Sequence, residues 1–113
     1  DQKFILGMGN YLRSEVLFCA RVSPESRLLD LNLEQKKELS FWVIELMKRA
    51  YLHKGVTNDL KREQKLKSQG LDYESRRFFV FDREDKNCYE CNRKIKRIEK
   101  SGRRLYFCPK CQK

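Results

Sequence analysis

Four of the five cysteines fall in the closing stretch CYECNRKIKRIEKSGRRLYFCPKCQK as two Cys-x-x-Cys pairs, Cys88 with Cys91 and Cys108 with Cys111, separated by 16 residues. Two residues between cysteines let a tight knuckle aim both sulfurs at one point, and two such knuckles complete a tetrahedron. The expected chemistry is one structural Zn²⁺ held by four thiolates. Two disulfides or a redox pair are the competing readings, disfavoured by the even match of the pairs and by the lack of a secretory signal. Between the pairs, RKIKRIEK and RRLYF flank Ser101-Gly102, a turn dipeptide, so a β-hairpin is expected there. A metal in this position stands in for the core that so small a module lacks.

A second chemical feature is GMGN at residues 7 to 10. Gly7 and Gly9 permit backbone conformations closed to other residues, and Asn10 suits a helix N-cap that leaves neighbouring N–H groups available to an anion. By itself such a turn reads as an ordinary interhelical connection. The rest of the chain changes its weight, because 26 Lys and Arg against 16 Asp and Glu give a formal charge of +10 and a pI of 9.6. That excess suits a polyanion. A glycine turn and a basic hairpin on one small body suggest two tips that clamp a nucleic-acid backbone.

The elements that must carry these tips follow from periodicity. A helix is expected from about Tyr11 to Arg21, with Leu12, Val16, Leu17 and Ala20 inward and Pro24 soon after its end; Cys19 on it reads as a buried small apolar side chain. Asn32 and Gln35 form a capping-box pattern ahead of Leu39, Trp42, Val43, Leu46, Met47 and Ala50. That stripe is expected to be a core face packing independently of the finger, with His53 a solvated residue near the helix end. Gly55 to Arg77 is rich in charge and reads as a mobile connector with at most one short helix; FFVF at 78 to 81 reads as a strand leading into the finger. The expected division is 1–77, helical with a basic connector, and 78–113, the zinc finger. With 113 residues, about one domain's worth, and 40% of them hydrophobic, disorder throughout is excluded. No apolar run approaches membrane-spanning length, so no membrane partner is expected. The opening Asp1, inside an apolar stretch, reads as the start of a fragment or processed piece.

DQKFILGMGNYLRSEVLFCARVSP closely resembles the helix–two-turn–helix signature of the formamidopyrimidine-DNA glycosylase / endonuclease VIII family, and the four-cysteine segment is similar to that family's C-terminal zinc finger. The resemblance spans the chain, and Asn-Tyr-Leu-Arg after the second glycine is closer to the endonuclease VIII branch. It implies that Asn10, with Gly9, binds a DNA phosphate beside the lesion and that Lys3 lies near the backbone. The family's finger arginine, five residues before the third zinc cysteine, corresponds to Arg103, with Arg104 beside it where relatives often carry a non-basic residue. Family members attack the sugar C1′ with an N-terminal proline amine, aided by an adjacent glutamate and by a lysine of a β-sandwich domain. None of these is in this chain.

The expected fold is therefore mainly α, a helix–two-turn–helix bundle followed by a four-cysteine β-hairpin. The expected function is the DNA-binding half of a bifunctional glycosylase / AP lyase of base excision repair, inactive alone. Its expected partners are double-stranded DNA with damaged bases or abasic sites and the N-terminal catalytic domain of the same protein, in a monomeric, intracellular enzyme placed wherever DNA resides. The alternatives are a stand-alone nucleic-acid-binding ribbon and a ribbon that recruits proteins.

Overall fold

The structure is a computed structural model that describes residues 10–113, with Asn10 described by its backbone alone. Helix α1 runs Asn10–Cys19, a 3₁₀ turn Leu28–Asp30, α2 Leu33–Leu52, α3 Leu60–Ser68 and α4 Tyr73–Arg76; strands β1 (Lys96–Lys100) and β2 (Arg103–Phe107) close the order. The chain is thus mostly helical with one two-stranded antiparallel sheet.

The end of α1 falls two residues earlier than expected. Arg21 takes a left-handed φ of 63°, the Val22 amide donates to the Leu17 carbonyl at 3.0 Å, and the Arg21 amide donates to Phe18 at 3.0 Å. This is the Schellman arrangement, which satisfies the last carbonyls without a glycine. At the start of α2 the capping box is complete: Asn32 Oδ1 accepts the Gln35 amide at 2.8 Å, and Gln35 Oε1 accepts the Asn32 amide at 2.9 Å.

Helix α2 buries Leu39, Val43 and Leu46 against α1, with Trp42 packed at the margin. Met47, expected in the stripe, is 43% exposed. It sits about 100° around the helix from Leu46 and so turns away from the line of Leu39, Val43 and Leu46. The stripe does not pack independently either: one buried cluster joins Val16, Phe18, Leu39 and Leu46 of the helices with Cys88, Ile95, Tyr106 and Cys108 of the finger.

Residues 55 to 77 depart most from expectation. Val56, Thr57 and Asn58 are buried, and two helices follow, capped by Asp59 on the Arg62 amide at 3.0 Å and by Asp72 on the Ser75 amide at 2.9 Å. The amides of Thr57 and Asn58 both donate to the Arg77 carbonyl, at 2.9 and 3.0 Å, and Arg76 Nε pairs with Glu63 at 2.6 Å. Polar contacts fix the segment where apolar ones are few, which is why composition reads it as a loop. Gly55, at φ 89°, lets the chain turn with its Cα close under the Tyr73 hydroxyl and the Arg77 guanidinium, where a Cβ would lie 2.6 and 2.8 Å from them.

FFVF is not a strand. The amides of Phe79, Val80 and Phe81 converge on the carboxylate of Glu15, at 2.6, 2.8 and 3.1 Å, so three successive N–H groups point one way, which an extended strand cannot arrange. Thr57 Oγ1 donates to the same carboxylate at 2.5 Å. Glu15 is wholly buried; burial pushes its pKa up, and these four donors act against that push.

Candidate metal centre and nucleic-acid interface

The two knuckles are built alike. Asn92 follows Cys91 with a left-handed φ of 69°, its amide donates back to the Cys88 carbonyl at 2.9 Å, and the Cys88 amide donates to the Arg93 carbonyl at 2.7 Å. In the second knuckle the Gln112 amide donates to the Cys108 carbonyl at 3.0 Å. The Gln112 side chain then joins the knuckle to the helices: its Oε1 accepts the Cys108 amide at 2.9 Å and its Nε2 donates to the Val22 carbonyl at 2.9 Å.

All four sulfurs lie within 4.8 Å of one another. Cys88 and Cys111 Sγ are 3.9 Å apart, and Cys91 and Cys108 Sγ are 3.3 Å apart. Four thiolates about 2.3 Å from one tetrahedral ion stand about 3.8 Å from each other, so the spacing fits a shared metal. Amides already point at the sulfurs, Glu90 N at Cys88 Sγ, 3.4 Å, and Cys111 N at Cys108 Sγ, 3.5 Å. Such donors stabilise thiolate charge. The Arg93 amide above all holds Cys91 down at about 7, whereas burial pushes Cys108 and Cys111 up. A dication supplies the charge that buried thiolates need.

The hairpin projects from this centre. Its register pairs Ile98 with Leu105 and Lys100 with Arg103, and the two connecting residues, Ser101 and Gly102, both have positive φ, 54° and 76°. That is the turn whose twist matches paired strands. Arg103 is the first residue after the turn and is partly exposed, while Arg104 is exposed and, by strand alternation, faces the other side of the ribbon. Lys100 Nζ donates to the Pro24 carbonyl at 3.2 Å, tying the ribbon to the helical body.

Of the other residues predicted to meet DNA, Asn10 opens α1, while Lys3, Gly9 and the Asn10 side chain lie outside what is described. Helix α1 and the hairpin are nonetheless joined. Ser14, on the second turn of α1, is buried and its Oγ accepts the Tyr106 amide of β2 at 3.1 Å. Three residues that sequence reasoning passed over therefore matter here: Ser14 and Glu15, which fix α1 to the finger and to its lead-in, and Arg13 beside them. The Arg13 guanidinium is held below the usual arginine value, first by burial and then by the charge of Arg103. The spacing of residues 10, 13 and 14 on one helix face was the available signal.

No protein-family model matches the chain. It is 35% identical over 112 residues to the endonuclease 8 of Pectobacterium atrosepticum, a match that covers 99% of this chain and 39% of that protein. To the endonuclease 8 of an Enterobacter species it is 37% identical, covering 100% of this chain and 40% of that one. Over its whole length the chain is similar to the C-terminal portion of formamidopyrimidine-DNA glycosylase / endonuclease VIII family proteins. Among solved structures, MutM (Fpg) of Thermus thermophilus has a TM-score of 0.73 at 31% identity, covering 94% of this chain and 40% of that one. Lactococcus lactis Fpg, crystallised with DNA containing an abasic site, shares the fold at TM-score 0.76 and 24% identity, covering 99% of this chain and 41% of its own. Relative to these family members the chain spans about two fifths of the length, in their C-terminal portion.

Proposed function

We propose that this chain is the DNA-binding half of a bifunctional DNA glycosylase / AP lyase that removes oxidised bases in base excision repair. The observation that carries the reading is the bond between Ser14 and Tyr106, 3.1 Å. It sets the helix that begins at Asn10 and the strand that begins at Arg103 on one body, so that both ends can meet one duplex. The family relationship supports it, as do Lactococcus lactis Fpg structures that are complexes with abasic-site DNA and with DNA containing FAPY-dG.

In this reading the segment from the glycine turn through α1 is the helix–two-turn–helix element, with 1–77 as the helical part and 78–113 as the finger. Gly9 and Asn10 bind phosphate through backbone and amide groups, Lys3 lies along the backbone, and Arg103 grips a phosphate with its planar fork while Arg104 adds charge nearby. Cys88, Cys91, Cys108 and Cys111 hold one structural Zn²⁺, whose contribution is to fix the angle of the hairpin. Damaged or abasic double-stranded DNA is the partner, catalysis belongs to an N-terminal domain of the same monomeric protein, and the site of action is wherever the cell's DNA lies. Among the described residues no helix is long and apolar enough to cross a membrane.

The test is titration of a labelled abasic-site duplex with the chain, followed by borohydride trapping. The expected result is binding whose logarithm falls linearly with the logarithm of salt, and no covalent adduct, since an amine nucleophile of the family's kind is missing. Absence of binding in low salt would overturn the DNA-binding reading, and a trapped adduct would overturn the assignment of catalysis to another domain.

A further inference from the structure

Helix α2 carries a second apolar face. Phe41, Ile44, Tyr51 and Leu52 recur at the spacing of one helix face, and Ile44, Tyr51 and Leu52 are 65%, 87% and 65% exposed. At 100° per residue this face lies roughly opposite Leu39, Val43 and Leu46, which pack against α1. Single exposed apolar residues are ordinary, whereas a contiguous patch of them marks an interaction site. The face leads into a groove of about 410 Å³ between the end of α2 and the start of α3, lined by Leu52 and Leu60. That volume falls in the range of pockets that accept a ligand, about 300–1,000 Å³.

The charges around the groove are unequally engaged. Its two carboxylates already serve the fold: Glu45 pairs with Arg49 at 3.2 Å, and Asp59 accepts the Arg62 amide at 3.0 Å as the cap of α3. Lys48 and Lys61 also line the groove, and neither has an ion-pair partner among the described residues. An anionic occupant therefore meets two cations whose charge no carboxylate has taken. An apolar centre with a charged margin is the anatomy of a protein interface. A nucleic-acid backbone fits less well, because it offers little aliphatic surface to cover Ile44 and Leu52.

We propose that this face of α2 and its groove form a docking site for a partner protein's acidic amphipathic helix. One large apolar side chain of that helix enters between Leu52 and Leu60, its neighbours cover Ile44 and Tyr51, and its carboxylates meet Lys48 and Lys61. The site goes beyond the DNA-binding reading. Because α1 packs on the opposite side of α2, the docked helix is separated from the start of α1 by the thickness of a helix, about 10 Å.

The experiment titrates the chain with a fluorescein-labelled synthetic peptide, an amphipathic helix with leucines on one face and glutamates along both edges. A scrambled peptide of the same composition is the control. Trp42 is the only tryptophan and its ring centroid is 5.1 Å from that of Phe41, so its emission reports occupancy of this face. Saturable binding with a change in Trp42 emission is expected, at least tenfold tighter than for the scrambled peptide. Leu52→Asp should weaken it at least tenfold, and Lys48→Glu and Lys61→Glu several-fold each. These side chains lie at the surface, so thermal melts of the variants should match wild type; a variant that melts lower is replaced by Tyr51→Ala, which should also weaken the peptide. Equal binding of the scrambled peptide, or binding that Leu52→Asp leaves unchanged, would overturn the proposal. So would a loss of abasic-duplex binding in Leu52→Asp as large as its loss of peptide, which would make the face part of the DNA interface. Peptide binding that vanishes in the full-length protein would assign the face to its own N-terminal domain and overturn the proposal as well. Each of these outcomes leaves the DNA-binding reading standing.

Discussion

Replacing Cys108 with serine is expected to abolish the proposed zinc site and to lower the stability of the whole chain, not of the finger alone. Cys108 is completely buried, its amide is held by Gln112, and it belongs to the same buried cluster as Val16 and Leu46. Structural zinc supplies about 10–16 kcal/mol of apparent binding free energy in small zinc modules. A domain of this size has about 5–15 kcal/mol of net stability in all. Losing one of four thiolates therefore removes an amount comparable with the total. Metal analysis should fall from one Zn²⁺ per chain to nearly none, and the melt should move down as a single transition. Full metal occupancy in Cys108→Ser, or a melt in which the helical signal is unchanged, contradicts the assignment.

Exchanging Glu15 for glutamine is nearly isosteric and removes a buried charge, yet it is expected to destabilise the chain by about 1–3 kcal/mol. The two carboxylate oxygens accept four donors between them, Thr57 and Phe79 on one, Val80 and Phe81 on the other. A glutamine side chain has one acceptor oxygen, and its NH₂ group would face N–H or O–H groups that already donate. Turned toward Val80 and Phe81, the NH₂ leaves two buried amides without an acceptor; turned toward Thr57 and Phe79, it leaves the Phe79 amide without one, because the Thr57 hydroxyl can accept from the NH₂ and donate to the Arg77 carbonyl, 3.4 Å away. The burial that raises the Glu15 pKa is relieved by the exchange, and this gain is the smaller effect because each unsatisfied donor costs about 1–3 kcal/mol. Chemical denaturation of Glu15→Gln beside wild type checks the value. A loss below about 1 kcal/mol would mean that these amides find other partners.

What could be read from the sequence was local. The cysteine spacing announced the four-sulfur cluster, Ser101-Gly102 announced the hairpin, and Asn32 with Gln35 announced the start of α2, each within a few residues of chain. Glu15 was illegible because its donors lie 42, 64, 65 and 66 residues away, and a lone glutamate in an amphipathic helix looks like a solvated one. FFVF failed for the same reason, since strand-type residues had been recruited to a carboxylate instead of a ladder. Residues 55 to 77 were misread because backbone bonds to Arg77 and caps by Asp59 and Asp72 do the ordering that apolar residues usually do. The bond of Ser14 to the Tyr106 amide needs the packing of α1 on β2, which no local pattern encodes.

The central claim, two positioned tips closing on one DNA backbone, is tested most directly by comparing duplex binding of Asn10→Ala with that of Lys67→Ala, an exposed lysine on α3. Asn10→Ala changes no charge, so it should leave the salt slope intact while reducing affinity by about 1–3 kcal/mol, the worth of a hydrogen bond to a charged group. Lys67→Ala removes a full charge and should cost no more than any other surface lysine. If Lys67→Ala weakens binding to an abasic-site duplex as much as Asn10→Ala does, diffuse electrostatics holds the DNA and the two-tip account is wrong.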